Sequence, residues 1–434
     1  MKQLLCGVAE RISTPALGVD MPGYFGTRKS TAVKDDLYAQ AIVLDNGEKL
    51  LAIFSIDILD FVSSFSNAVR RRLSEAIGIE EKAVLLVATH AHTSHATNYT
   101  GFCVKKNTRV MKRLEDLCVE AGIEAYENRV PVTMKRGTGE QRGISFCRNF
   151  FAADGSAATN PKVGTDPATM RPMYDIDYSV EVLRFDDETG KTVGQIVNFA
   201  CHPDVVGGHE FCADYPGVMR RILKERFGKD SVVAFLNGCA GNINHIDAYK
   251  RMAGYKYPAD HYVTMGETLA KEVLRIHDEE LRTVESAELG VEAKVFRAKR
   301  RQPTEEDIAF SKRVLAEAEP ERHDIVYARE LKDICDHPKF FENVEVQVFR
   351  MGESALVALP GEIFCDIGQR IKERSGFEQS MVVELAGGTV GYVVSEPAFS
   401  AGVYESKLSR YNSSLSPDAG DRMVEVADKL LKKL

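Results

Sequence analysis

Short apolar runs recur along the chain and suit the strands of a buried sheet. They are rich in Val, Ile, Leu and Phe, and each is followed by small or polar residues. The runs occupy residues 50–59, 83–90, 195–202, 232–238, 344–352, 355–362 and 381–385. Runs of this length and composition predict buried strands.

Between these runs, apolar residues recur every three or four positions, which is the spacing of one face of a helix. The stretches with this pattern are residues 65–78, 108–128, 215–228 and 266–282. Strand and helix patterns therefore alternate along the chain. This order predicts an α/β fold with a mixed β-sheet core flanked by helices.

Residues 304–338 have a different character, because they are highly charged and helical in period, with Pro320 in their middle. Since proline breaks a helix, they predict a helical hairpin inserted between two sheet-forming halves. A surface helix pair is favoured over an arm that binds a partner. Proline and glycine nowhere cluster into a linker, so residues 1–434 are expected to form a single catalytic-type domain.

Composition and charge narrow the class of protein. The formal net charge is −8, and no stretch combines Lys and Arg with aromatic residues, which argues against nucleic-acid binding. No apolar run approaches the roughly 20 residues of a membrane span, and the start of the chain lacks the apolar core of a secretory signal. The nine cysteines are scattered without a CxxC pair, as in a reducing compartment. We therefore expect a cytoplasmic protein with a small-molecule partner and no integral membrane segment, and the sequence leaves homo-oligomerisation open.

Polar side chains follow several of the predicted strands. His90 and His92 follow one run, His202 follows the next, Glu362 ends "LVALPGE", and Tyr392 comes after "GGTVG". Ligand sites in open α/β sheets lie beyond the carboxyl ends of the strands. Histidine and glutamate are also common zinc ligands. These residues are therefore candidates for one shared site.

The sequence H-x-H at 90–92 places two imidazoles on the same side of an extended chain. They could be two metal ligands, one ligand and one general base, or simply a hydrogen-bonded pair. His95 lies further along the loop and is expected to support the site rather than to bind a metal. No HExxH motif or paired CxxC motif selects among these readings.

Taken together, several segments resemble the neutral, non-lysosomal ceramidases, which are zinc-dependent amidases that hydrolyse N-acyl sphingosine. The resemblance runs from Gly7 to about Leu430 and rests on short motifs. These are "GVAERISTPALGVDMPGY", "FSIDIL" with Asp57, "THAHTSHA", "CRN", "NFACHPDVVG", "ADYPG", "LPGE", "GYVV" and "VYES". The most specific match is the spacing of twelve residues between Tyr392 and Tyr404.

The resemblance implies a role for each matching residue. It implies that zinc is bound by His90, His202, Glu362 and Tyr392. It also implies that catalysis is assisted by His92, Tyr404 and Arg148, of which Arg148 contacts the substrate. The flanks of Arg148 are the least similar to those of the family.

The sequence also departs from the family. Ceramidases carry Gly-Asp-Val-Ser-Pro-Asn after a strand, whereas this chain reads "GCAGNINHID", with Asn242 and Asn244 in the Asp and Ser places. Ceramidases continue into an immunoglobulin-like domain, which we do not expect here, and we expect no export signal. The resemblance therefore supports the same type of reaction more strongly than it supports a lipid substrate.

The sequence thus predicts a zinc-dependent hydrolase that cleaves the C–N bond of an N-acyl compound with metal-activated water. An esterase or lactonase acting on a small polar substrate stays open, as does a non-catalytic homologue that binds a metal or ligand. The sequence does not assign a second metal. It also leaves open the roles of some nearby polar residues, namely Asp57, His95, His209, Asn242 and Asn244.

Overall fold

The computed structural model describes residues 3–98, 104–250 and 256–434. Its helices are α1 Ser63–Ile77, α2 Thr108–Glu127, α3 Asp214–Phe227, α4 His261–Glu279, α5 Glu305–Ala316, α6 Arg322–Asp336, α7 Cys365–Arg374, α8 Ala398–Ala401 and α9 Ala419–Leu431. Its strands are β1 Leu5–Ile12, β2 Asp20–Met21, β3 Arg28–Lys29, β4 Ala32–Val33, β5 Tyr38–Asp45, β6 Leu50–Ile56, β7 Val84–Ala88, β8 Val130–Glu140, β9 Phe146–Cys147, β10 Asn149–Ala152, β11 Ala157–Thr159, β12 Met170–Pro172, β13 Ser179–Asp187, β14 Thr192–Phe199, β15 Glu210–Phe211, β16 Val232–Asn237, β17 Ile243–Asn244, β18 Arg282–Thr283, β19 Leu289–Lys299, β20 Phe341–Met351, β21 Ser354–Ala358, β22 Glu362–Ile363, β23 Gln379–Val383 and β24 Tyr392–Val393.

The largest sheet of the described residues has nine strands and mixed pairing. Its order is β16-β14-β13-β8-β1-β5-β6-β7, with β18 pairing beside β8. Strands β6 and β7 pair parallel, as do β14 and β16, while β1, β5 and β6 pair antiparallel. Helix α1 connects the first parallel pair and α3 the second, as parallel strands require a crossover. The predicted α/β fold with a mixed sheet is therefore confirmed.

A second sheet, β19-β20-β21-β23, lies against the end of the first. Its parallel pair β21 and β23 is connected through α7. Two isolated bridges join the sheets, Val87 with Ala386 and Gly238 with Val383. The carboxyl ends of β7, β16 and β23 therefore meet in one place, which is where the candidate site residues follow.

The helices cover the sheets through apolar faces that the sequence pattern had indicated. Helix α1 buries Phe65, Val69 and Leu73, four residues apart. Burying each such side chain contributes about 1.5–3 kcal/mol, so a charged residue at position 69 would separate α1 from the core. Helix α3 packs on α4 so closely that a Cβ at Gly266 would lie 2.7 Å from the Tyr215 carbonyl oxygen. The four predicted helices are confirmed to within a few residues at their ends.

The predicted helical hairpin is present as α5 and α6, with Pro320 between them. Thr304 caps α5 through a reciprocal pair of hydrogen bonds with Asp307. The two helices are joined where the Ser311 hydroxyl donates to the Ala328 carbonyl at 2.7 Å. The organisation of residues 1–434 as one domain stays a prediction. Within the described residues, none of the helices has the length and apolar character that crossing a membrane requires.

Candidate active site

His90 follows β7 in a strained backbone conformation. Its φ is 72°, in the left-handed region that non-glycine residues rarely adopt. The conformation is held because the His90 amide donates to the Ile58 carbonyl at 3.0 Å. The Nδ1 atom lies 2.9 Å from the Leu59 carbonyl oxygen. Since a carbonyl only accepts, Nδ1 donates to it, and Nε2 is the ring atom that can bind a metal.

His202 follows β14 and is oriented in the same way. Its Nδ1 lies 2.8 Å from the Ala240 carbonyl oxygen and 3.1 Å from that of Ile243. Nδ1 therefore donates, and Nε2 is the free nitrogen. Donation from the second ring nitrogen to a carbonyl is the usual way in which proteins orient metal-binding histidines.

The free nitrogens of both histidines face the same carboxylate. The Oε2 atom of Glu362 lies 3.1 Å from Nε2 of His202 and 3.3 Å from Nε2 of His90. The Tyr392 hydroxyl lies 3.5 Å from Nε2 of His202. Glu362 and Tyr392 are neighbours because they pair in the short parallel strands β22 and β24. The structure thus brings together the four residues that the sequence predicted as metal ligands.

The spacing of these donor atoms suits a tetrahedral zinc site. Ligands about 2.0–2.1 Å from a tetrahedral ion lie about 3.3 Å from one another. The measured separations of 3.1, 3.3 and 3.5 Å match this value. Two imidazole nitrogens, a carboxylate and a phenol oxygen are also donors that zinc accepts. The residues present therefore fit the metal that the sequence predicted.

His92 lies beside this group. Its Nε2 is 3.3 Å from Nε2 of His90, and its buried Nδ1 has no hydrogen-bond partner among the described residues. The ring sits on Gly23, where a Cβ would come within 2.5 Å of Nδ1. His90, His92 and His202 also form a group that could itself hold a metal, since their ligand atoms lie within 4.8 Å of one another. The geometry therefore allows His92 to be either a base beside the metal or a ligand.

Burial and mutual charge set the protonation of the group. Burial, and then the nearby charge of His90, hold the pKa of His92 well below its usual range. Burial alone would lower the pKa of His90, but the Glu362 carboxylate outweighs it and raises the pKa to about 9. Burial opposes ionisation of Glu362, yet His90 and His202 hold its pKa well below the ordinary value. His92 is therefore neutral near pH 7 and able to accept a proton.

Three of the metal-binding candidates, His90, Glu362 and Tyr392, line a cavity of about 700 Å³. Its lining also includes residues from the 23–28 turn, from the start of α6 and from the 404–411 segment. These are Gly23, Tyr24, Phe25, Gly26, Thr27, Arg28, Arg322, His323, Tyr404, Arg410 and Tyr411. Burial raises the pKa of Tyr404, so its hydroxyl stays protonated as a donor. The Tyr404 ring centroid lies 6.4 Å from that of Tyr392.

Arg148 is buried beneath the proposed ligands. Its Nε donates to Glu405 at 2.7 Å and its Nη2 to the Gly241 carbonyl at 2.7 Å. Its Nη1 lies 3.4 Å from Nε2 of His202. Arg148 is not among the residues that line the cavity. Arg148 therefore places a positive charge beside His202, and the predicted contact with substrate stays a prediction.

The remaining polar residues near the site have mainly structural partners. Asp57 pairs with Arg220 at 2.7 Å, and Asn242 Oδ1 accepts from the Cys365 amide at 2.9 Å. The Asn244 side chain donates to Asn160 at 2.7 Å. None of these contacts is with the proposed ligands. His209 lines the cavity, and both ring nitrogens of buried His95 lack a hydrogen-bond partner among the described residues.

Sequence reasoning missed several groups that shape the site. Burial raises the pKa of Glu384 to about 8, and its Oε2 accepts from the Ile363 amide next to Glu362 at 2.7 Å. Arg28 and the start of α6 also line the cavity, although neither follows one of the predicted strands in the sequence. A carboxylate directly after the apolar run "MVV" was a signal for Glu384. No sequence signal indicated that α6 reaches the site.

Comparison with known proteins reveals the same fold. No protein-family model matches the sequence, and no curated protein does either. The neutral ceramidase from Pseudomonas aeruginosa superposes with a TM-score of 0.75 and 18% identity over 100% of this chain and 75% of that one. A structure of a ceramidase complexed with C2 superposes with a TM-score of 0.77 and 17% identity over 99% of this chain and 75% of that one. The resemblance to neutral ceramidases is therefore confirmed at the level of the fold.

Proposed function

We propose that the chain is a zinc-dependent hydrolase of the neutral ceramidase type, which cleaves the amide C–N bond of an N-acyl compound with water. One observation carries the proposal. The Nε2 atoms of His90 and His202 converge on Oε2 of Glu362 at 3.3 and 3.1 Å, and His90 and Glu362 line a cavity of about 700 Å³. A bound metal cation would balance the negative charge of the buried Glu362 carboxylate at this point of convergence.

The residues of the chain supply the proton transfers. His90, His202, Glu362 and Tyr392 would hold a zinc ion, which would supply Lewis acidity toward water and the scissile carbonyl. Neutral His92 accepts a proton from the attacking water and returns it to the amine nitrogen as the C–N bond breaks. The products are a carboxylic acid and an amine, so no further reactant is required.

Hydrogen-bond donors stabilise the charge that develops on the acyl oxygen. The protonated hydroxyl of Tyr404 lines the cavity and is a donor of this kind. Arg148, which is fixed by Glu405 at 2.7 Å, adds positive charge beside His202. No serine nucleophile is needed, which agrees with Asn244 at the place where ceramidases carry serine.

We further propose a small or moderately polar substrate. The cavity wall carries Arg28, Asp60, His209 and Arg322, whose polar groups would be costly to bury against two long alkyl chains without partners. A short acyl chain can occupy the apolar parts of the wall, such as Phe25 and Leu59, and leave these polar groups solvated or bonded.

The test is a panel of N-acyl amines, esters and lactones assayed with native, EDTA-treated and zinc-restored protein. We expect amide hydrolysis that is lost with the metal and recovered with zinc. Preferential cleavage of esters or lactones would favour the alternative activity at the same site. Metal binding without any hydrolysis would favour a non-catalytic ligand-binding protein.

A further inference from the structure

The wall of the cavity formed by α6 and the 23–28 turn carries more positive than negative charge. Arg28, Arg322 and Arg410 all line the cavity, whereas the carboxylates in its lining are Asp60 and Glu362. Glu362 belongs to the proposed metal ligands. Asp60 follows Leu59, whose carbonyl accepts from His90, and therefore lies at the metal end. The part of the lining that comes from the 23–28 turn and the start of α6 contains Arg28 and Arg322 and no carboxylate.

The three arginines differ in how they are neutralised. Arg410 is paired with Asp333 and lies 4.0 Å from Glu330, so its charge is already balanced by α6. Arg28 donates to the carbonyl oxygens of Gly208 at 2.8 Å and His92 at 2.7 Å, and also to that of Pro22. Carbonyl groups do not neutralise a guanidinium. Arg28 therefore keeps a full positive charge next to His92.

Arg28 also has unused hydrogen-bonding capacity. Its Nε is buried and has no partner among the described residues. Its guanidinium carbon lies 4.4 Å from the centroid of the Tyr24 ring, which fixes the plane of the group. A half-buried guanidinium with no carboxylate partner among the described residues is best balanced by an anion from the ligand.

Arg322 completes this wall from the hairpin. It is the first residue of α6, is exposed, and makes no ion pair with any other described residue. A Cβ placed at Gly26 would lie 2.9 Å from its Nη1, so the guanidinium rests directly on the 23–28 turn. Arg28 and Arg322 thus approach the cavity from two sides of the same turn.

Aromatic contacts connect this wall to the metal end. Phe25 lies 5.1 Å from the neighbouring His323 ring and 6.4 Å from Tyr404, and Tyr404 lies 6.4 Å from Tyr392. A substrate whose scissile carbonyl lies at the metal can therefore extend along these rings toward the arginines. Successive ring centroids along this path are 5.1 to 6.4 Å apart, which is a spacing that a small molecule can span.

We propose that the substrate carries an anionic group, such as a carboxylate, which binds to Arg28 and Arg322 in the wall of the cavity. This inference rests on the proposed amide hydrolysis for the identity of the scissile bond. The positive charge of the wall is independent of that chemistry. An N-acyl amino acid has both features, because it joins an amide to a carboxylate by one short link. A sulfonate in the same position presents the same oxyanion chemistry.

The test compares matched substrates and two arginine variants. The substrates are N-hexanoylglycine, N-hexanoyltaurine and the neutral N-hexanoylglycinamide. The variants are Arg322→Gln and the control Arg329→Gln, which removes an exposed arginine of α6 that does not line the cavity. We expect the wild type and Arg329→Gln to prefer an anionic substrate in kcat/KM by about tenfold or more, the value of a hydrogen bond between charged groups. Arg322→Gln should lose most of that preference.

A binding measurement separates this inference from the proposed reaction. The non-hydrolysable pair N-(hexylsulfonyl)glycine and N-(hexylsulfonyl)glycinamide is titrated calorimetrically into the same three proteins. Anion-selective binding that is lost in Arg322→Gln supports the inference even if no amide is cleaved, an outcome that would contradict the proposed function alone. Amide hydrolysis with equal kcat/KM for all three substrates, or a preference that Arg322→Gln leaves unchanged, would overturn the inference and leave the hydrolase intact.

Discussion

The Oε2 atom of Glu362 lies 3.1 Å from Nε2 of His202, although 160 positions separate the two residues in the chain. His202 follows a strand of the large sheet, whereas Glu362 follows a strand of the second sheet. The contact forms because the bridges at Val87 and Gly238 bring the strand ends of both sheets together. The proposed metal site is therefore a product of how the two sheets join.

Replacing His202 with alanine should remove the metal. The change deletes one of four proposed ligands and leaves His90 and Glu362 without the geometry that zinc prefers. We expect zinc content, measured by elemental analysis after dialysis, to fall sharply. His337→Ala is the matched control, since His337 is exposed and pairs only with Asp333 on its own helix. Equal zinc loss in both variants, or none in His202→Ala, would exclude His202 as a ligand.

Replacing His92 with alanine should keep the metal and abolish most of the activity. The neutral ring lies next to the proposed ligands and is assigned as the general base. Removing a general base typically costs about 10²–10⁴-fold in rate, so kcat on the best amide of the panel should fall by this factor at unchanged zinc content. Loss of zinc from this variant would instead show that the three histidines His90, His92 and His202 form the ligand set.

Asp57 should contribute to stability rather than to metal binding. Its carboxylate, 1% exposed, pairs with Arg220 at 2.7 Å and accepts from Thr89, which precedes His90, at 3.3 Å. Removing one partner of a buried ion pair costs about 3–5 kcal/mol. We expect Asp57→Ala to lose a free energy of unfolding of this size in urea titrations.

The control for this experiment is Glu80→Ala. Glu80 is half exposed and pairs with Lys49 at 2.7 Å, and surface pairs of this kind contribute about 0–1 kcal/mol. Similar losses in the two variants would refute a special role for the buried pair. Zinc loss from folded Asp57→Ala would show that its contact with Thr89 reaches the metal site.

The sequence predicted the parts of the fold whose pattern was strongly apolar. Strands β6, β7, β14, β16, β20, β21 and β23 lie where apolar runs occur, and the four patterned helices were also found. Strand β8 was missed because "VPVTMKRGTGE" alternates with charged residues, and its burial is correspondingly uneven. A half-exposed strand of this kind is recognisable only from its partners β1 and β13.

The site could be predicted in part. His90, His202, Glu362 and Tyr392, which the structure brings close together, could be singled out because each follows a predicted strand or turn and matches a family motif. The hairpin at residues 304–338 was expected to be a surface helix pair, and the first residues of α6, Arg322 and His323, are exposed but also line the cavity. That position depends on how α6 packs on the 23–28 turn, through contacts such as Phe25 with His323. Local sequence patterns do not encode such contacts.

The prediction of a small or moderately polar substrate can be tested with ceramide, the lipid after which the structurally similar ceramidases are named. We expect weak or no hydrolysis of a long-chain ceramide in detergent, because arginines form part of the wall of the cavity of about 700 Å³. Short N-acyl amines should be hydrolysed better in the same assay. Ceramide turnover with a kcat/KM of about 10⁴ M⁻¹s⁻¹ or more, as ordinary enzymes show on their own substrates, would overturn the substrate prediction and leave the metal site intact.

The most direct measurement of the central claim is the metal content of the protein purified without added metal. Four converging donors, with separations of 3.1 to 3.5 Å, predict one tightly bound zinc per chain by mass spectrometry of the digested protein. Zinc removed with a chelator should return on titration at the same stoichiometry. Absence of zinc or any similar transition metal, together with no uptake on titration, would contradict the account.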